Sequence, residues 1–289
     1  MALVESVSNV AVAILDTRTV LLGNLLVGSR DAAGCDWVVE DVPGWAQSAS
    51  TGQVTGRTYA HGGWADRAFL APGTFTVRGV CVAPSSDVAV VAWDRLMGVV
   101  SVDDVETVVV TEGSVATQCD ARQSGEPLRE WLSDRAFRFD VMFAAPDPRR
   151  LGSVLHSVTV GLPSSTGGLV FPVTFPATID AVVSGGPVTV VNAGNVTSAC
   201  VVRLDGPVDT PRLTHGGQQR TLTVQVDVLA GQWVEIDMDR RWARLNGAVA
   251  RVTSGQWPTV EPGVNVLRFD ADTYEAAAEM TVTWRDAFR

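Results

Sequence analysis

Alternation of apolar and polar residues dominates the chain. Phe137, Phe139, Val141 and Phe143 recur at every second position, with Arg138 and Asp140 between them, the period of a strand with one face buried. Pro146 and Pro148 end that strand, Asp147 suits a turn, and Arg149 and Arg150 are expected in solvent. The stretch therefore reads as the last strand of one domain followed by an exit. Earlier, Phe75, Val77 and Gly79 alternate against Thr74, Thr76 and Arg78 within a strand-like stretch from Arg67 to Val82, and strands are expected at Glu106–Val110 and Ser114–Arg122. Residues 7–29 read as two strands, or one strand and a hairpin arm, broken at Asp16-Thr17-Arg18 and Gly23-Asn24. One segment leaves the two-residue period. After Pro84, the run Ser85-Ser86-Asp87 suits a helix start, Val88, Val91, Ala92, Leu96 and Val99 fall at helical spacing, and Gly98 suits the end. A helix this short is marginal alone, so its apolar stripe is expected to pack on the sheet.

Beyond Leu151 the pattern loosens into a connector with a strand at Leu155–Val160, a loop over Gly161–Gly168, and an edge or linker set by Pro172 and Pro176. From Ala177 it tightens again. Cys200, Val202 and Leu204 alternate, as do Leu222, Val224, Val226 and Val228; Trp233, Glu235 and Asp237 alternate with Val234, Ile236 and Met238. A hairpin across Asp239-Arg240-Arg241 leads into Trp242–Leu245, Asn246-Gly247 is a tight-turn pair, and strands at Val264–Phe269 and Met280–Trp284 close the chain. Short strands at regular spacing predict a β-sandwich. The expectation is an all-β chain of two domains, a β-sandwich or split barrel with one short helix over 1–175 and a β-sandwich over 176–289.

Composition sharpens the class. Of 289 residues, 46% are hydrophobic and 19% charged, and the mean hydropathy is +0.17. That is apolar for an isolated soluble molecule and fits one that hides surface in an assembly. The net charge of −10, with no basic cluster beyond Arg149–Arg150 and Arg240–Arg241, argues against nucleic acid as a partner. All 22 basic residues are arginine, which together with abundant Val, Ala and Gly reads as a GC-rich genome. The first residues carry Glu5 and no basic leader, and Asp16 and Arg18 interrupt the next apolar run, so neither a secretory signal nor a membrane span is expected. Cys35, Cys81, Cys119 and Cys200 are far apart and form no CxxC pair; free, partly buried thiols in a reducing cytosol are expected.

Catalytic signatures are absent from the sequence: no GxSxG, HExxH, P-loop or GxGxxG following a strand. His61, His156 and His215 are isolated, with His61 and His215 reading as loop residues, so no metal or cofactor is implied. The best acid pair, Asp237 with Asp239 in a row begun by Glu235, could serve glycoside hydrolysis, yet it leads into a hairpin where acids commonly serve turn geometry. Trp37, Trp45 and Trp64, with His61, are candidates for a subunit contact; covering a sheet edge is the plainer role. Trp233, Trp242 and Trp257 are candidates for stacking on sugar rings in a carbohydrate-binding module.

Three stretches resemble a known family: Thr58–Leu96 (TYAHGGWADRAFLAPGTFTVRGVCVAPSSDVAVVAWDRL), Phe137–Arg150 (FRFDVMFAAPDPRR), and Val191–Leu213 continued by LAGQWVEIDMDRRWARLNG, WPTVEPGVNVLRF and TVTWRDAF. In this order they resemble the distal tail (Dit) and minor tail proteins of long-tailed phages, especially those of actinobacteria. The resemblance implies an N-terminal domain that forms a hexameric ring at the virion tail tip and a galectin-like C-terminal sandwich outside it. It further implies contacts with the tail tube protein, the tape-measure end, the hub and receptor-binding proteins, and assembly in the host cytoplasm. It carries over no catalytic residue. The alternative is a carbohydrate-binding module contacting the host wall.

Overall fold

The computed structural model describes residues 18–47, 49–166, 182–250 and 253–289. Contacts divide the chain into two units, the first running to Ser153 and including Arg289, the second spanning Val154–Phe288. The join expected at 175/176 lies outside the described residues, as does the first part of the 7–29 stretch.

The first unit contains β1 (Arg18–Leu22), β2 (Leu25–Val27), β3 (Asp36–Asp41), β4 (Val54–Gly56), β5 (Gly63–Ala65), β6 (Gly73–Val82), α1 (Ser86–Gly98), β7 (Glu106–Glu112), β8 (Val115–Gln123), β9 (Leu128–Ser133), β10 (Ala136–Ala145) and β11 (Arg150–Gly152). Its main sheet runs β2-β1-β7-β8-β10-β6-β3, with β9 also on β10 and β11 on β8. The two ends nearly meet: Gly28 N donates to Trp37 O at 3.0 Å and Trp37 N to Ser29 O at 3.1 Å, giving a near-closed barrel.

The expected alternation on β10 holds, with Phe137, Phe139, Val141 and Phe143 buried. Phe139 lies opposite Gly79 of β6, and a Cβ at Gly79 would fall 2.4 Å from Val38 O and 2.6 Å from Phe139 Cζ. The glycine thus makes room for the ring. Trp37 packs edge-on against Phe137 and Phe139, at centroid distances of 6.1 and 5.7 Å.

The exit after β10 differs from the expectation. Asp147 does form a turn, accepting from Arg149 N at 3.0 Å, but its carboxylate also takes Arg149 Nη2 at 2.6 Å and holds that side chain half-buried. Arg150 then begins a strand on β8 instead of entering solvent.

Ser85 caps α1 by accepting from Val88 N, and Asp87 and Arg95 lie in its first and last turns, where the helix dipole favours each sign. The buried face is Ala89, Ala92 and Leu96; Val91, assigned by spacing to the inner stripe, is 64% exposed. Small alanines allow the helix to sit close to β6 and β10. Asp31 ties it down further. Its carboxylate accepts from Trp37 Nε1 at 2.8 Å, from the amides of Ala33 and Cys35 at 2.9 Å, and from Arg95 Nη1 at 2.9 Å.

The second unit contains β12 (His156–Gly161), β13 (Ser164–Thr166), β14 (Val182–Ser184), β15 (Pro187–Asn192), β16 (Cys200–Asp205), β17 (Arg212–His215), β18 (Arg220–Val224), β19 (Trp233–Asp237), β20 (Trp242–Leu245), β21 (Ala248–Ala250), β22 (Thr253–Gly255), β23 (Gly263–Asp270) and β24 (Glu279–Trp284). One sheet runs β12-β24-β16-β19-β20-β21 and the other β15-β23-β17-β18-β22. Their inner faces, among them Val202, Leu204, Val234, Ile236, Met280 and Val282 against Leu213, Leu222, Val224, Leu267 and Phe269, share one core. That is a β-sandwich. Asn246 (φ +48°) and Gly247 (φ +84°) make the expected tight turn, with Leu245 paired to Ala248. Two expectations change. Ser164–Thr166, read as loop, is a strand paired with Val182–Ser184, and the 222–228 strand stops at Val224. Val228 instead bridges back to Val208.

His215 is a third change. It is a buried residue at the end of β17, not a loop residue. Its Nδ1 accepts from Gln218 N at 3.2 Å, so Nε2 carries the proton and donates to Asn265 Oδ1 at 3.0 Å. Asn265 in turn donates to Glu261 O. Gln218 clamps Thr259, donating Nε2 to its carbonyl at 2.8 Å and accepting from its amide at 3.1 Å. This network fixes the segment that follows Trp257.

Candidate interaction surfaces

The four candidate contact residues of the first unit separate into two pairs. Trp37 and Trp45 belong to its core; Trp45 packs on Phe75 at 4.9 Å and donates Nε1 to Thr117 Oγ1 at 3.2 Å. Neither offers a face to a neighbour: pairing of β3 with β6 turns Trp37 inward, and Trp45, in the turn after β3, packs inward as well. His61 and Trp64 are exposed on a two-stranded ribbon. In it β4 pairs with β5, Thr55 opposite Trp64, and the pairing extends through Thr51 N to Phe69 O and Ala71 N to Ala49 O. Val54 (73% exposed), Tyr59 (100%), Trp64 (66%) and Phe69 (59%) leave the ribbon largely uncovered. Arg57 lies over the Trp64 ring at 4.4 Å and Arg67 over Phe69 at 5.1 Å. A two-stranded ribbon with no third strand is marginal on its own in water, and this one spends large apolar groups on its surface.

In the second unit Trp233 faces away from the core, since Val234 and Ile236 are the buried residues of β19. Arg203 covers one face of it at 4.7 Å, and Arg244 covers Trp242 at 4.2 Å. Glu235 lies opposite both arginines, Arg203 on β16 and Arg244 on β20. The surface is therefore laced together internally, and each of these tryptophans already has one face occupied. Asp237 caps its turn, its Oδ1 accepting from the amides of Asp239 at 3.0 Å and Arg240 at 2.8 Å. That is the work of a turn acid.

Trp257 differs. Partly buried against the sandwich core, it lines an open cleft of about 380 Å³ with Arg220, Arg241, Gly255 and Gln256. The cleft forms where β22, paired to β18 through Leu222 and Gly255, ends at Gly255. Gly255 has φ +103°, and a Cβ there would fall 2.3 Å from Thr221 O, so a glycine is needed for that close approach. Arg220 reaches the Trp257 carbonyl through Nη1 at 3.4 Å. Arg241 enters from the β19–β20 turn of the other sheet, at a left-handed φ of +56°.

The four thiols are free and buried. Burial pushes the Cys119 and Cys200 thiols up to about 12, and raises Cys35 and Cys81 as well, so none has thiolate character near neutral pH. Among the described residues no group of three or more His, Cys, Asp or Glu is placed to hold a metal ion. None of the described helices is long and apolar enough to cross a membrane.

Residues 193–288 match the C-terminal domain of the siphovirus-type tail component family. Over that stretch, the last third of the chain, the sequence is similar to the distal tail components of siphovirus-type phages. Among solved structures, the Dit protein (gp 19.1) of phage SPP1, described as a paradigm of the hub adsorption apparatus in phages infecting Gram-positive hosts, aligns over 94% of this chain and 99% of its own, with 12% identity and a TM-score of 0.65. A chain of the phage P2 baseplate, in its activated conformation with Ca, aligns over 92% of this chain and 97% of its own, with 8% identity and a TM-score of 0.51. No curated protein matches. At these identities the structures speak for the fold, and they place both units within the Dit architecture.

Sequence reasoning missed Val54, Tyr59 and Phe69 on the ribbon and Arg220, Arg241 and Gln256 in the cleft. A usable signal for the ribbon was present: Arg57–Gly63 (RTYAHGG) is a turn-forming stretch between two short apolar pieces. The cleft had none, because its residues come from separate hairpins.

Proposed function

We propose that this chain is a structural component of a phage tail tip that assembles with copies of itself into a ring, hexameric in the simplest form. In this reading the ring joins the tail tube and tape-measure end to the hub and receptor-binding proteins. It is assembled in the host cytoplasm and resides in the virion, and its work is done by surfaces and not by catalysis. The observation that carries the reading is the tail-component match at 193–288 within a chain whose Dit fold extends over both units. The exposed ribbon supports the self-assembly part. Val54, Trp64 and Phe69 need cover, and a copy of the same chain in a closed ring supplies it at every position at once.

Mass measurement of the purified full chain tests this. The expected species is six times the 30.7-kDa chain mass, visible as a ring by negative-stain microscopy. The double variant Trp64→Ser, Phe69→Ser is expected to shift the population to single chains while its thermal melt stays that of the parent. A monomer at every concentration, with and without other tail proteins, overturns the reading.

A further inference from the structure

We infer that the cleft around Trp257 is a binding site for an acidic saccharide. The inference goes beyond the tail-tip reading, since a ring can assemble with this cleft empty. Three observations carry it.

The first is charge. Several arginines of this acidic chain have a carboxylate partner, as Arg18 has Asp41, Arg138 has Glu40, Arg203 has Asp205 and Arg212 has Asp272. Among the described residues, Arg220 and Arg241 form no ion pair; the one polar contact of the Arg220 guanidinium is the Trp257 carbonyl. Two unpaired guanidiniums lining one cleft, on a chain of net charge −10, make a local reversal of sign. Their planar forks suit a carboxylate or phosphate.

The second is the rest of the lining. Trp257 supplies an apolar indole against which the C–H face of a sugar ring can pack, and the exposed amide of Gln256 supplies both a donor and an acceptor for hydroxyls. A volume of about 380 Å³ is in the range of small-ligand sites. A bare anion would leave the indole and the amide unused.

The third is rigidity. Arg241 is held on a turn capped by Asp237, in a left-handed position that glycine or asparagine occupies at lower cost. The Trp257 segment is anchored by the Gln218–Thr259 clamp. The backbone of both walls is therefore set before a ligand arrives, which lowers the ordering cost of binding.

Isothermal titration of the full chain tests the assignment with three probes: tetragalacturonate, the neutral maltotetraose, and a hexa-aspartate peptide as a polyanion without sugar rings. Tetragalacturonate is expected to bind, maltotetraose to bind at least tenfold more weakly, and the peptide likewise, with affinity for the acidic sugar falling as salt rises. Arg241→Gln, on an exposed turn, and Arg220→Gln should each weaken tetragalacturonate about tenfold, the loss of one charge-assisted contact, with thermal melts unchanged. Equal binding of the neutral sugar, equal or tighter binding of the peptide, no binding of tetragalacturonate, or indifference to Arg241→Gln overturns the inference. The mass of each sample reports ring assembly separately, so failure at the cleft and failure of the ring are told apart.

Discussion

Asp31 accepts four hydrogen bonds through a side chain that is only 6% exposed. Burial alone would raise its pKa, but the bonds from Trp37, Cys35 and Ala33 and the charge of Arg95 outweigh that and hold it below the ordinary carboxylate value of 3.8. A depressed carboxylate contributes stability that is present above its unfolded pKa and lost as pH falls through its folded one. Asp31→Asn should cost about 2 kcal/mol at pH 7, because it leaves Arg95 without its counter-charge. Urea titrations at pH 7 and pH 3 check this: the gap between variant and parent should narrow at the lower pH. A gap that stays constant would mean the carboxylate's charge is irrelevant. Nothing in the local sequence marks Asp31, since its partners lie up to 64 residues away.

Among elements, β6 and β10 set the first unit's core, and Gly79 is where they meet most tightly. Gly79→Val forces a side chain into space already held by Val38 O and the Phe139 ring, and overpacking of that kind should cost about 3 kcal/mol. Combining it with Phe139→Leu should recover part of the loss in chemical denaturation, a coupling that two independent sites would not show. The strands themselves were legible wherever one face is buried and the other wet, as on β10, β19 and β24. Elements without that contrast were not. All six residues of β9 are exposed, so no alternation marks it. In β3 charged residues flank Trp37 and Val39, and its place in the sheet is fixed by pairing with β6, some forty residues on. On α1 the expected stripe holds at Ala92 and Leu96, with Val88 and Val99 packed partly against the core, but Val91 faces outward and Ala89 takes the inner position, because spacing counts side chains and not their size. Tryptophan as a residue type flagged both candidate surfaces, but periodicity cannot say that Trp45 is buried and Trp64 exposed, nor that Arg220 and Arg241 share a cleft.

At the scale of the whole molecule, each unit has a hydrophobic core of its own, and among the described residues none belongs to both. A fragment of residues 154–289 should therefore fold alone, melting in one cooperative step by circular dichroism and keeping Cys200 unreactive to thiol reagents until it unfolds. A fragment with no melting transition, or with its thiol reactive from the start, would show that its sandwich needs the rest of the chain.

The ribbon from Ala49 to Ala71 leads somewhere else. A Cβ added at Gly56 or Gly62, beside its tip, would meet nothing within 4 Å, and Tyr59 between them is fully in solvent. Mutation there is invisible to the barrel beneath. Under the ring reading proposed above, substitutions at this tip alter the fit between neighbouring copies while the folding of the barrel stays untouched.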